Sequence, residues 1–268
     1  MYMGFYADSN GTKIYYQIRG KGEPLVLIMG FGATGDVWEK HTVVYEQHFK
    51  CIIIDNRGIG KSDQPTGPYT TKMLADDTIA VMDHAGVDKA RIAGISMGGA
   101  IAQELVLNYP DRVICALLMS TWPKFNNYAK SVYGSLKKLR VTSKPDHFTE
   151  LIQLWIYASP YFETNLEDLI EGQKNALNDP NPQSREGFEG QLEACVSHDT
   201  VSRLHEIDTP VLITVGDLDI FTPPEFSDIL HNEIKNSEYV HFEKGGHVHH
   251  WEDLERFNRV TTEFLLKN

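Results

Sequence analysis

The sequence predicts an α/β protein with a mostly parallel central sheet, helices on both faces and an inserted helical segment. Three observations predict it. Short, continuously apolar runs recur along the 268 residues, as expected of parallel strands covered on both faces. Stretches of helical periodicity separate them, so strand and helix alternate along the chain. From about residue 122 to 204 the alternation stops, and helical stretches replace it with no convincing strand.

Taken in order, Ser9-Asn10-Gly11-Thr12 predicts the turn of an N-terminal hairpin, with residues 13–19 as the returning strand. Residues 25–29, 51–54, 91–93, 113–119, 211–215 and 238–242 are the six further strand candidates. The spacing of Met73, Leu74, Thr78, Val81 and Met82 predicts a helix over residues 71–84, stopping at Gly86. A second helix is predicted over 97–108, before Pro110, and a last one over 251–266. Within the interruption, helices are expected over 127–139 and 147–157, with a joint at Asn178-Asp179-Pro180-Asn181-Pro182. This divides the chain into a core of residues 1–121 and 205–268 and a helical cap, or lid, of residues 122–204. In an open α/β sheet ligands bind beyond the carboxyl ends of the strands, so the insertion is expected to cover that edge.

Composition narrows the partners. The 25 basic and 37 acidic side chains give a net charge of −12, which argues against a nucleic-acid backbone as ligand. No apolar run approaches the ~18 residues that span a membrane. No basic stretch followed by an apolar one opens the chain, so no signal peptide is expected. Cys51, Cys115 and Cys195 are odd in number and widely spaced. They are expected to be reduced and packed, in a cytoplasmic protein. No cofactor is expected, and the oligomeric state, monomer or homodimer, stays open.

Gly94-Ile95-Ser96-Met97-Gly98 is the sharpest chemical signal. It follows a predicted strand and opens a predicted helix, the setting of a nucleophile elbow. Gly94 and Gly98 remove side chains where strand and helix close up. Ser96 is then the expected nucleophile, on a strained turn. The helix's first amides face any anion formed there. A serine needs a base, and His247, after Gly245-Gly246 and the last strand, is the candidate, with His249 and His250 as neighbours. The run of three His in four residues also invites a metal reading. It lacks a further aspartate and a second ligand cluster, so no metal is expected. The base needs an orienting carboxylate. Asp219 in Gly216-Asp217-Leu218-Asp219 is the choice and Asp217 its rival. For the oxyanion, the Met97 amide and the Phe31 amide of Met29-Gly30-Phe31-Gly32 are the expected donors.

Those motifs, together with Asp55-Asn56-Arg57-Gly58-Ile59-Gly60-Lys61-Ser62 and the order Ser96, Asp219, His247, resemble those of α/β-hydrolase-fold serine hydrolases along essentially the whole chain. The resemblance implies hydrolysis of a carboxylic ester or lactone through an acyl-enzyme. It gives residues 55–62 a structural role near the site. The family commonly has His where Met29 stands, which bears on how the oxyanion loop is held. The insertion resembles that of small bacterial esterases and the enol-lactonase group. Its aromatics, with Trp122, Tyr128 and Trp155 as candidate substrate contacts, suggest an apolar pocket. The same fold also carries C–C bond hydrolysis, thioester or amide hydrolysis and perhydrolysis, and ligand sensors that keep the three residues and turn over slowly.

Overall fold

Each inner strand is apolar without a break because its two sides feed two different cores. Val26, Ile28, Ile52 and Ile54 face one core and Leu25, Leu27, Cys51 and Ile53 the other. In the computed structural model, which describes residues 4–268, eight strands form one sheet. They are β1 (Gly4–Ser9), β2 (Thr12–Arg19), β3 (Glu23–Ile28), β4 (Phe49–Ile54), β5 (Ala90–Ile95), β6 (Val113–Met119), β7 (Val211–Gly216) and β8 (Ser237–Phe242). Their order is β1-β2-β4-β3-β5-β6-β7-β8. Pairings of β1 with β2 and β2 with β4 are antiparallel, and the others are parallel.

Helices α2 (Thr71–His84) and α3 (Met97–Asn108) contribute Leu74, Val81, Met82, Ile101 and Leu105 to the first core, joined by Phe226 and Leu230 of α8 (Pro224–Glu233). Tyr45 of α1 (Glu39–Tyr45) and Phe257, Phe264 and Leu265 of α10 (Leu254–Lys267) close the second. The sheet is therefore covered on both faces, as predicted. Cys51, Cys115 and Cys195 are buried and unbridged, and burial pushes the Cys51 and Cys115 thiols up to about 12.

One local expectation needed correcting. The last helix is two: α9 (His249–Glu252), then α10, broken at Asp253 with φ −132° and ψ 61°. The break has a use, because it leaves the Glu252 carboxylate to take the backbone N–H groups of Gly246 and, at 2.7 Å, Ala158. Helix α1, of seven residues, and the helices Ser159–Leu177 and Arg185–Ser197 were not foreseen.

Between β6 and β7 the chain runs through α4 (Asn127–Thr142), α5 (Pro145–Ile156), α6 (Ser159–Leu177) and α7 (Arg185–Ser197). The Asn/Pro joint lies between α6 and α7. The two ends of this segment run side by side. Lys124 and Asp199 form one antiparallel bridge and a 2.6 Å ion pair, and the Thr200 N–H donates to the Pro123 carbonyl at 2.9 Å.

Candidate active site

Ser96 joins β5 to α3 at φ 56° and ψ −118°, left-handed backbone that costs a non-glycine residue about 1–3 kcal/mol. The surroundings impose it. A Cβ on Gly94 would lie 2.1 Å from the Gly98 carbonyl oxygen, and one on Gly98 would lie 2.2 Å from that of Ile28. The Ser96 N–H donates to the Met119 carbonyl at 2.8 Å, and its own carbonyl accepts from Gly99, Ala100 and the Thr121 hydroxyl.

The loop after β3 presses against this turn. A Cβ on Gly30 would lie 3.0 Å from Ser96 Cβ and 3.6 Å from its Oγ. Among the described residues, neither the Phe31 nor the Met97 N–H finds a protein acceptor. With Met29 where the family commonly has His, the loop is held by amides. Asn56 Nδ2 donates to the Met29 carbonyl at 2.9 Å, and the Gly32 N–H donates to Gln191 Oε1 at 3.0 Å. Gln191, on α7, is fully buried and also donates to the Arg57 carbonyl. The loop of residues 55–62 braces this arrangement. The Asp55 carboxylate accepts from the N–H groups of Gly35 and Lys61, and Arg57 pairs with Asp77.

On the other side, the loop after β7 places Asp219 and the loop after β8 places His247. His247 Nδ1 lies 2.9 Å from Asp219 Oδ2. Asp219 is buried, and Oδ1 accepts from the N–H groups of Phe221 and Thr222 at 2.8 Å each. The Thr222 hydroxyl also reaches Oδ2, at 2.8 Å. Such a carboxylate holds one imidazole tautomer: Nδ1 carries the proton and Nε2 is left as a base. The rival Asp217 points away to the surface, where it pairs with His241 at 2.7 Å.

The three neighbouring His diverge. His249 bonds to Ser120 and Thr214, and burial pulls its imidazole down to about 3. His250 bonds to His41. No group of three or more His, Cys, Asp or Glu side chains converges among the described residues.

Ser96 and His247 line one cavity of about 140 Å³ with Met29, Phe31, Val37, Ile152, Ile156, Phe221 and Trp251 among its walls. The Ser96 hydroxyl is not hydrogen-bonded to the imidazole in this structure. A turn about its Cα–Cβ bond selects among staggered positions. A second cavity, of about 660 Å³, shares Ala33, Val37, Ile152, Ile156 and Trp251 with the first.

None of the three predicted aromatic contacts lines the Ser96 cavity. Trp122 is fully buried and stacks on Phe125, Tyr128 donates to the Ile220 carbonyl at the surface, and Trp155 packs against the first core. Aliphatic Ile152 and Ile156 of α5 stand there instead. They recur at helical spacing in a stretch already read as a helix, and nothing local distinguishes a wall residue from a core one. Tyr133 of α4, another aromatic of the insertion, is fully buried beside the site. It stacks on Phe221 and packs on Phe31, and its buried hydroxyl faces Ser96 and Cys195 without meeting either at hydrogen-bond geometry.

Comparison with known proteins identifies the fold and the family. A family model described as the alpha/beta hydrolase fold matches residues 23–254. A relative from Azorhizobium caulinodans, provisionally named a carbamate hydrolase, is 25% identical over 97% of both chains. The enol-lactonase from Burkholderia xenovorans superposes with a TM-score of 0.89 at 24% identity, covering 98% of this chain and 100% of that one. An N-acyl homoserine lactone degrading enzyme gives a TM-score of 0.84 at 26% identity, covering 97% and 100%.

Proposed function

Since the chain belongs to the α/β-hydrolase family and is a hydrolase, we propose that it cleaves carboxylic esters or lactones with a short acyl part, through an acyl-enzyme on Ser96. The observation that carries the proposal is His247, held through Nδ1 by buried Asp219 and lining the same cavity as Ser96. Ser96 Oγ turns to Nε2, loses its proton to it and attacks the carbonyl carbon. Nε2 returns the proton to the leaving alkoxide, or to the ring oxygen of a lactone. Asp219 stabilises the imidazolium. The Phe31 and Met97 amides hold the tetrahedral oxyanion. Water, deprotonated by Nε2, then repeats the addition and frees the acid. Residues 122–204 act as a cap, since α5 supplies two walls of the acyl cavity.

Cavity size sets the acyl length. About 140 Å³ is close to the ~150 Å³ that admits one benzene-sized group. Initial rates on p-nitrophenyl esters from acetyl to dodecanoyl, and on simple lactones, test the proposal. Rates are expected to peak at short acyl chains and fall steeply beyond about six carbons. Background rates on all of them would overturn it and direct the search to C–C bonds, thioesters, amides, perhydrolysis or a ligand-sensing role.

Gln191 supplies a second test. Gln191→Leu leaves the Gly32 N–H and the Arg57 carbonyl without their partner and frees the oxyanion loop. Loose positioning of a donor weakens the transition state more than the ground state. We expect kcat to fall by about 10–100-fold with KM changed by about threefold or less, measured by steady-state kinetics. Equal losses in both constants would place Gln191 in substrate binding instead.

A further inference from the structure

The Ser96 cavity is walled almost entirely by carbon, yet it includes one imidazole that the proposed reaction does not use. His250 lines it and is 1% exposed. Its Nδ1 lies 2.9 Å from His41 Nε2, and His41 Nδ1 lies 2.6 Å from Asn258 Oδ1. Both rings are buried, which pulls His41 down to about 4 and His250 well below the usual histidine range. Both are therefore neutral at ordinary pH, with one N–H each.

The chain of contacts fixes where those protons sit. An amide oxygen only accepts, so His41 carries its proton on Nδ1. His41 Nε2 must then accept, so His250 carries its proton on Nδ1 and donates it there. That leaves His250 Nε2 as a bare acceptor, and it is enclosed with no partner. Leaving such a group unmet is destabilising, a cost that a phenylalanine of similar shape would avoid. Beside it stands Trp251, 5.1 Å away between ring centres, lining the same cavity. The Trp251 Nε1–H is buried and unpaired too. The two orphans have opposite polarity, so one hydroxyl or one secondary amide answers both.

We propose that His250 determines specificity in the acyl pocket. The preferred substrate carries a hydroxyl or amide N–H on its acyl chain, a few bonds from the carbonyl, donating to His250 Nε2. This rests on the reading of Ser96 as the acylated residue. The distance is set by Ser96 and His250 lining the same cavity of about 140 Å³. An acyl carboxylate is disfavoured, because it brings a second acceptor to a bare lone pair.

The test compares p-nitrophenyl butyrate with its β-hydroxybutyrate counterpart. Wild type is expected to favour the hydroxy ester in kcat/KM by about tenfold or more, the factor one buried hydrogen bond supplies. His250→Asn keeps an amide where Nδ1 sits, able to donate to His41, but puts nothing at Nε2. The ratio should fall to about one. His250→Gln puts an amide near Nε2 and should restore part of the preference. A wild-type ratio of one overturns the proposal, as does a preference that survives in His250→Asn. If that variant does not fold, the wild-type ratio and His250→Gln decide. Ser96→Ala, run alongside, separates the two readings. Failure of wild type on both esters removes the esterase reading and this one with it, whereas equal turnover of both that is lost in Ser96→Ala removes this one alone.

Discussion

Ser96→Ala is expected to lower kcat/KM on the best ester by on the order of 10⁴-fold or more while leaving the melting temperature nearly unchanged. Both parts follow from the local structure. The hydroxyl is the only atom removed, and it makes no hydrogen bond of conventional geometry that the fold would miss. The bonds that shape the turn are to the Ser96 backbone: its N–H to Met119, and its carbonyl from Gly99, Ala100 and Thr121. Alanine bears the same left-handed strain as serine, so folding loses nothing more. What disappears is the acyl-enzyme, leaving only the binding and oxyanion contributions. The check is paired kinetics and thermal unfolding, with mass spectrometry of a fluorophosphonate adduct. Substantial turnover by a folded Ser96→Ala protein would remove Ser96 as nucleophile.

Asp219→Asn is the second large effect, on the order of 10⁴-fold in kcat if the buried carboxylate acts as proposed. The asparagine Oδ1 can keep the Phe221 and Thr222 N–H bonds that Asp219 Oδ1 accepts. Its NH₂ group then faces His247 Nδ1, donor against donor. The imidazole answers by moving its proton to Nε2, and Nε2 can no longer accept from serine. The geometry survives and the base is lost. Asp217→Asn is the contrast. It removes half of an exposed pair with His241, worth about 0–1 kcal/mol, and should change kcat by less than about twofold. Steady-state rates of the two variants check the assignment. Comparable losses in both, or loss only in Asp217→Asn, would reverse it.

The local features of the site were legible because they depend on neighbours in sequence. The tight turn at Ser96 needs glycines two residues before and after it, where backbone meets backbone at Gly94 and Gly98. The loop donors followed the same logic: Gly30 lets the chain lie against Ser96. The cap was legible only as helix. Its aromatics looked like pocket lining, yet Trp122 packs inward and Tyr128 outward. A helix presents its residues around a full circle, and which arc meets the cavity is set by how α4, α5 and α7 dock, not by residue type. The break at Asp253 was hidden for a similar reason. Its backbone departs from the helix where Glu252 is held to Gly246 and to Ala158, the latter 94 residues away in sequence.

Sequence by itself determined the fold class, the strand runs and the Ser96 turn. Continuous apolar runs admit only strands covered on both sides, and a missing Cβ is a local fact. The sequence preferred Asp219 to Asp217, and only the tertiary structure shows the contact behind that choice: both follow β7 within three residues, but Asp219 meets His247 and Asp217 meets His241. The tertiary structure alone showed what His249 and His250 bond to, and it alone chose the aliphatic walls of the cavity. The physical reason is directional: hydrogen bonds and cavity walls depend on the convergence of side chains from distant loops, whereas apolar continuity and backbone sterics are written into adjacent residues.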